Sequence, residues 1–334
     1  MNDPLTRRTF IRNTSLAVAA ATLSPIMSQA QAPSADQERF DALIIGGSFA
    51  GLSAAMSLGR ARRKVLVLDA GRPCNHMVKA AHNLIMHDGA PPQQMLAAAR
   101  EQLAAYPTVT LLNATAARIE GEDGSFSVQS NLGVHAASKV LLATGVRDRP
   151  LPIAGFAECW GISVLHCPFC HGYEVVDLPL AVLGDGAMGL EFVRMIRNWS
   201  RDLTLLTNGP STLEPEQQRE LSERGIRIEQ RAIAQLDHQG GQVTSAVFQD
   251  GERLALSTLF ARPPFALPEE LLSNLACART ESGHIQVDPM QRTTVAGVFA
   301  AGDVASPMRS LAFAMSAGNM AGGAITHALV SQWQ

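Results

Sequence analysis

Cys167 and Cys170 stand three positions apart, and each has a histidine against its outer side, in the run His166-Cys167-Pro168-Phe169-Cys170-His171. Two sulfurs at this spacing can close a small disulfide ring, and a thiolate that attacks one of them exchanges the bond. Exchange also moves protons, and an imidazole with an ordinary pKa of about 6.5 is suited to take or return them near neutral pH. Two plainer readings exist: half of a zinc site, or a pair of packed thiols. Structural zinc usually takes its ligands from two such pairs, and here the other cysteines, Cys74, Cys159 and Cys277, are scattered. Histidines abutting both cysteines are also poorly placed to close one tetrahedron with them. Thiol–disulfide chemistry is the expectation, with no metal. The candidate catalytic residues are Cys167, Cys170, His171 and, second to them, His166.

The elements that must hold this motif are read from the apolar runs. A chain of 334 residues, 46% hydrophobic and 17% charged, has material for more than one core. A net charge of −3 gives no reason to expect nucleic acid as a partner. Residues 40–45 predict a buried strand, Gly46-Gly47-Ser48-Phe49-Ala50-Gly51 a tight turn, 52–58 a helix, and 64–68 a second parallel strand ending at Asp69. Strand, glycine turn, helix, strand and terminal acid form a βαβ unit that seats a pyrophosphate on a helix N-terminus and a ribose on the carboxylate. Ser48 departs from the glycine pattern but is small. Asp69 leaves no room for a 2′-phosphate, so the ligand is of FAD or NAD type.

A second unit follows at 180–206, with a complete G-x-G-x-x-G at Gly184, Gly186 and Gly189 and a helix from 190 to about 199. Its second strand ends in Thr207-Asn208-Gly209, which offers neither the carboxylate of an NAD site nor the arginines of an NADP site. The expectation is a nucleotide-shaped domain whose nicotinamide nucleotide is lost or weakly held. Ala143-Thr144-Gly145 ends another strand, Asp303 ends a strand from 297, and a helix spans 311–329. Prolines at 150, 152, 263 and 264 mark the crossings. The fold class is α/β: two Rossmann-like, three-layer dinucleotide domains, the second (151–262) inserted into the first (38–150 and 263–334).

Residues 1–30 read as an address. Thr6-Arg7-Arg8-Thr9-Phe10-Ile11-Arg12 is a twin-arginine pattern, followed by a mildly apolar run at 16–27 and a small-residue cleavage site at Ser28-Gln29-Ala30. The run is too short and weak to anchor the chain in a bilayer. Export by this route carries folded protein, as a preloaded cofactor requires, to the periplasm, where disulfides persist.

Taken together, the glycine turn at 46–51, Ala143-Thr144-Gly145, the cysteine pair upstream of a second G-x-G-x-x-G, and Ala300-Ala301-Gly302-Asp303 resemble the low-molecular-weight thioredoxin reductase family of flavoproteins, over essentially the whole chain after the signal. The resemblance implies FAD, held by Gly46, Gly47, Ser48, Phe49, Ala50 and Gly51 at the pyrophosphate. It implies Asp69 with Ala70 at the adenosine ribose, Asn83, Thr144 and Gly145 near the cofactor, Gly302 and Asp303 on the ribityl side, and Leu311 and Ala312 beside the flavin. It also implies a homodimer. Cys74 falls in the loop that runs along the cofactor and is expected to be an inert thiol.

Departures from the reductases give a direction. His171 stands where they carry an acidic residue after the second cysteine, Thr207-Asn208-Gly209-Pro210 stands where they carry arginines, and Leu311 stands where they carry a glutamine. The stretch from Cys167 to Glu174 is closer to the dithiol oxidase branch that closes the gliotoxin disulfide. That likeness implies a dithiol, small molecule or protein, oxidised through the cysteines and FAD with O2 as acceptor. Two other readings remain open on the sequence: a reductase fed by NAD(P)H through Gly184, Gly186 and Gly189, and a non-catalytic flavin redox sensor.

Overall fold

The computed structural model describes residues 38–332, so the twin-arginine segment lies outside the described residues. The first run of the chain forms β1 (Arg39–Ile45), α1 (Phe49–Arg60), β2 (Val65–Asp69), α2 (Pro92–Leu103), β3 (Val109–Asn113), β4 (Ala116–Glu122), β5 (Ser125–Ser130), β6 (Gly133–Leu142) and β7 (Arg147–Asp148). The middle run forms α3 (Phe156–Cys159), β8 (Val164–Leu165), α4 (Pro168–His171), β9 (Leu180–Leu183), α5 (Gly186–Ile196), β10 (Leu203–Leu206), α6 (Pro215–Glu223), β11 (Arg227–Glu229), β12 (Ile233–Gln239), β13 (Gln242–Phe248), β14 (Arg253–Ala255) and β15 (Thr258–Ala261). The chain returns through β16 (Phe265–Ala266), α7 (Glu269–Leu272), β17 (Val298–Ala300) and α8 (Leu311–Val330).

The outer sheet runs β3-β2-β1-β6-β5-β4, and β17 joins on β6. β6 forks: residues 133–137 pair antiparallel with β5, while 140–142 pair parallel with β17. Alternation in β1 explains the layers. Leu43 and Ile45 point into a core shared with Ile119, Phe126 and Val128, whereas Ala42 and Ile44 point into one shared with α1 and α8. Strands covered on both faces must be apolar throughout, as these are. The middle run builds its own parallel sheet, β11-β10-β9-β15-β8, beside the antiparallel β12-β13-β14. The two crossings meet as an antiparallel pair, β7 with β16.

Three boundaries differ from the sequence expectation. α1 and α5 begin inside their glycine turns, at Phe49 and Gly186, because the turn residues themselves take the first helical positions. β17 stops at Ala300, and Gly302 (φ +80°) turns the chain, so Asp303 stands beyond the strand rather than at its end. Among the described residues no helix is long and apolar enough to cross a membrane.

Small residues bring α1 and α8 together. A Cβ on Gly318 would lie 2.0 Å from the carbonyl oxygen of Ala50, and one on Gly322 would lie 2.6 Å from Cβ of Ser57. Gly323, on the same helix, faces open space. Helix propensity favours alanine over glycine by about 1 kcal/mol at either place, but a backbone clash at Gly318 costs about 1–3 kcal/mol or more and wins. Gly323→Ala should therefore raise stability and Gly318→Ala should lower it, as read by denaturant unfolding. Equal responses would mean that the helices do not pack as described.

Candidate functional site

The first glycine turn is shaped by contacts with the chain around it. Gly46 has φ +108°, and a Cβ there would lie 2.1 Å from the carbonyl oxygen of Ala143. A Cβ on Gly47 would strike the side chain of Asp69, and one on Gly51 would strike the Gly46 carbonyl. These approaches press β1, the turn and α1 into one corner. No acidic side chain stands in the first turn of α1 and no side chain caps it, so its free N–H groups form a seat for an anion. Asp69 accepts a hydrogen bond from the backbone of Gly71 (3.2 Å) and one from Nη2 of Arg100 (2.7 Å). The same guanidinium donates to the carbonyl of Gly47 at 3.2 Å, fixing carboxylate and turn together.

A cavity of about 280 Å3 opens over this corner. Gly46, Gly47, Ser48, Phe49, Ala50, Asp69, Ala70, Asn83, Thr144, Gly145, Gly302, Asp303 and Leu311 all line it. Gly51 and Ala312 are not part of its wall. Gly51 serves the close packing below the turn, and on α8 the wall is Leu311 and Ala314. Asn83 takes a left-handed backbone (φ +61°), held by its N–H donating to Asp88 Oδ1 at 2.8 Å. An anion seat, one carboxylate beside it and a second, Asp303, in the same cavity match the pyrophosphate and the two hydroxylated chains of FAD. The donor set fits that cofactor.

The inserted domain supplies the remaining wall with Cys170, His166 and His171. Cys167 and Cys170 form a disulfide across the one-turn α4, with the N–H of Cys170 donating to the Cys167 carbonyl (3.3 Å). Cys170 borders the cavity and Cys167 does not. Trp199 braces the turn: it fills the space where a side chain on Gly172 would lie and meets Phe169 edge-on at 5.5 Å. Among the described residues no cluster of three or more His, Cys, Asp or Glu is arranged to hold a metal.

Burial lowers the pKa of His171, and His82 lowers it further against the opposing charge of Glu174. Burial, then the charge of Arg309, pushes His166 down to about 4. Both imidazoles are therefore neutral at pH 7. That suits them as proton acceptors. The Nε2 of His166 is buried without a hydrogen-bond partner. Cys74 borders the cavity, with Sγ 3.8 Å from Asp303, and burial followed by that carboxylate pushes its thiol up to about 11. Inert behaviour follows.

At the second glycine turn the geometry differs. Gly186 has φ +59°, and Gly184 and Gly189 pack closely enough that a Cβ on Gly189 would lie 2.7 Å from Gly184. Yet Asp185, the N-cap residue of α5, turns its carboxylate to the loop after β10. There it accepts from Thr212 N (2.9 Å), Thr212 Oγ1 (2.7 Å) and Ser211 Oγ (3.1 Å), which hold its pKa below the usual range against some desolvation. Thr207, which follows Leu206 as Asp69 follows Leu68 in the matching register, donates its hydroxyl to the Gly209 carbonyl at 2.6 Å, and Asn208 beside it accepts from Ile233 N at 2.7 Å.

The sequence profile of the family described as pyridine nucleotide-disulphide oxidoreductase matches residues 40–321. The chain belongs to that pyridine nucleotide-disulphide oxidoreductase family. Thioredoxin reductase tcpT of Claviceps purpurea is 32% identical over 84% of this chain and 92% of its own. Thioredoxin reductase sirT of Leptosphaeria maculans is 31% identical over 86% and 93%. Among solved structures, an oxidoreductase from Agrobacterium tumefaciens superposes with a TM-score of 0.84 at 36% identity, covering 88% of this chain and all of that one. The chain is a thioredoxin-reductase-like, FAD-dependent disulfide oxidoreductase of this pyridine nucleotide-disulphide oxidoreductase family.

Arg100, His82 and Arg309 also line this cavity, Asp148 is paired to Arg309 behind it, and none of the four carries a motif of its own. For the cofactor end, Asp69→Ala removes a charge-assisted hydrogen-bond acceptor worth about 1.5–3 kcal/mol. FAD affinity, read by flavin fluorescence during titration of the apoprotein, should fall about 10- to 100-fold. Unchanged affinity would remove Asp69 from the cofactor site.

Proposed function

We propose that this flavoprotein oxidises dithiols to disulfides, with O2 as the final acceptor. The observation that carries this direction is the contrast between the two glycine turns. The first offers an open anion seat, whereas a carboxylate held by three side-chain and backbone donors stands at the second. An ionised Asp185 beside a pyrophosphate is a like-charge contact that costs affinity, and the ribose position has its polar group committed elsewhere. Electrons are then supplied by thiols rather than by NAD(P)H.

The chain's own steps begin at Cys167, the sulfur turned away from the flavin cavity. A substrate thiolate bonds to Sγ of Cys167 and breaks its bond to Cys170, which leaves as a thiolate. A second substrate thiolate attacks the mixed disulfide, closing the substrate's disulfide and releasing Cys167. The substrate has given up two electrons and two protons. His171, neutral and beside Cys170 in sequence, takes a proton from the incoming thiol; at an ordinary pKa of about 8.5 only a few per cent of thiol is ionised at pH 7. The residues of α1 and Asp69 would hold FAD, which when bound would supply two-electron acceptor chemistry between the cysteine pair and O2. The glycine and carboxylate residues orient that cofactor, and Leu311 covers part of its cavity.

Anaerobic mixing tests the direction: dithiothreitol should bleach the flavin absorbance rapidly and NADH or NADPH should not. Bleaching by a nicotinamide and none by dithiol would replace this reading with the reductase one. Burial places the His171 titration below 6.5, so its neutral form persists through neutral pH and is lost only in acid. His171→Gln should slow dithiol-driven bleaching about 100-fold and abolish the acid limb of the pH–rate profile. A profile unchanged by the substitution would assign the base elsewhere.

The twin-arginine pattern supports export of the folded, FAD-loaded protein to the periplasm. Changing Arg7 and Arg8 together to Lys should retain the protein in the cytoplasm on cell fractionation; continued export would reject that address.

A further inference from the structure

We propose that Asp148 and Trp160 are positioning residues for the redox pair, holding His166 and the cysteine turn behind it against the flavin cavity. Asp148 lies in β7, the strand by which the chain crosses into the insert, and its side chain is 7% exposed. From the returning segment of the outer domain, Arg309 grips it with a forked pair, Nη1 to Oδ1 at 2.7 Å and Nη2 to Oδ2 at 2.9 Å. The Nε of Arg309 faces Asp303 Oδ2 at 3.5 Å, so this cation is shared with a carboxylate of the cofactor cavity. From the insert, the indole N–H of Trp160 donates to Asp148 Oδ2 at 3.3 Å. One carboxylate thus joins the two domains beside the cavity.

Trp160 passes that constraint to the motif. Its ring lies 6.0 Å from the His166 ring on one side and stacks on the fully buried Phe156 at 5.9 Å. A backbone bridge from Trp160 to Val164 starts the short strand that leads into His166 and Cys167. His166 has no hydrogen bond at Nε2 to orient it, so packing against Trp160 sets its place. A smaller cavity, about 50 Å3, is bounded by Asp148, Trp160, His166, His171 and Arg309, putting the chain of Arg309, Asp148 and Trp160 next to both histidines. Cys167 follows His166 directly, so a shift of Trp160 moves the sulfur bridge relative to the cavity that Cys170 faces. Misplacement of reacting groups by about 1 Å can cost up to 100-fold in rate.

A docking contact of this kind could serve stability alone, and the test separates the two roles. Asp148→Ala takes from Arg309 the nearer of its two carboxylate partners and can loosen the fold, so Trp160→Phe is the second variant: it removes one N–H and keeps an aromatic ring. The FAD-loaded full chain is reduced anaerobically by light with EDTA as the electron donor, and thiols appearing at Cys167 are trapped with iodoacetamide and timed by peptide mass. This readout follows exchange between the pair and the cofactor in the direction opposite to the proposed turnover, so it stands whether or not dithiols are the physiological donors. Dithiothreitol bleaching gives the forward direction.

Trp160→Phe is expected to keep FAD content and unfolding midpoint, slow exchange about tenfold in both directions, and leave the KM for dithiothreitol unchanged. The double variant should be no slower than Asp148→Ala, because both changes remove the same hydrogen bond. Wild-type exchange in Trp160→Phe, or losses that multiply in the double variant, would overturn the proposal.

Discussion

The structure depends on a disulfide carried by one domain being pressed against a cavity built by another. Cys170 borders the flavin cavity and Cys167 does not, although the two are joined across a single helical turn. That division of labour exists only while the insert stays docked. Docking rests on polar contacts at the seam: the Trp160 indole N–H on Asp148 (3.3 Å), a carboxylate that Arg309 holds within the outer domain, and His82 with Glu174 (3.4 Å). The Trp160–Asp148 bond is the firmer of the two, because its acceptor is buried and fixed by the short, doubly bonded fork from Arg309. The His82–Glu174 contact is long and partly solvated and contributes little by comparison.

Burial rather than local charge decides the chemistry of the imidazoles. Glu174 favours a protonated His171, and Asp148 favours a protonated His166, yet desolvation leads in both and leaves them neutral. A neutral imidazole beside an exchanging disulfide accepts a proton; a charged one would have stabilised thiolate without being able to take one. The same desolvation acts on Cys74 in the opposite sense for reactivity, raising its pKa to about 11 and leaving the chemistry to the Cys167–Cys170 pair.

Much of this was legible in the sequence because the relevant signals are local. Apolar runs with glycine turns announced β1–α1–β2 and β9–α5–β10, and the Cys-x-x-Cys spacing announced the disulfide. What was hidden is the set of contacts that tertiary folding alone creates. Arg309 meets Asp148 from 161 positions away, and Arg100 meets Asp69 from 31 away. The glycine motif at 184–189 read as intact because spacing records backbone shape. It does not record that Asp185 sends its side chain to Thr212. Ala312 was placed on the cavity by family likeness, whereas the pitch of α8 turns Leu311 and Ala314 toward it.

The central claim is that thiols feed this flavoprotein and oxygen drains it. Steady-state turnover of a dithiol in air, with O2 uptake, H2O2 and disulfide measured together and no nicotinamide present, tests it most directly. The account expects one O2 consumed and one H2O2 formed for each disulfide closed, and no turnover in Cys170→Ser with its FAD still bound. Disulfide formation that continues in that variant, or an absence of O2 uptake while NADPH drives disulfide reduction, would contradict it.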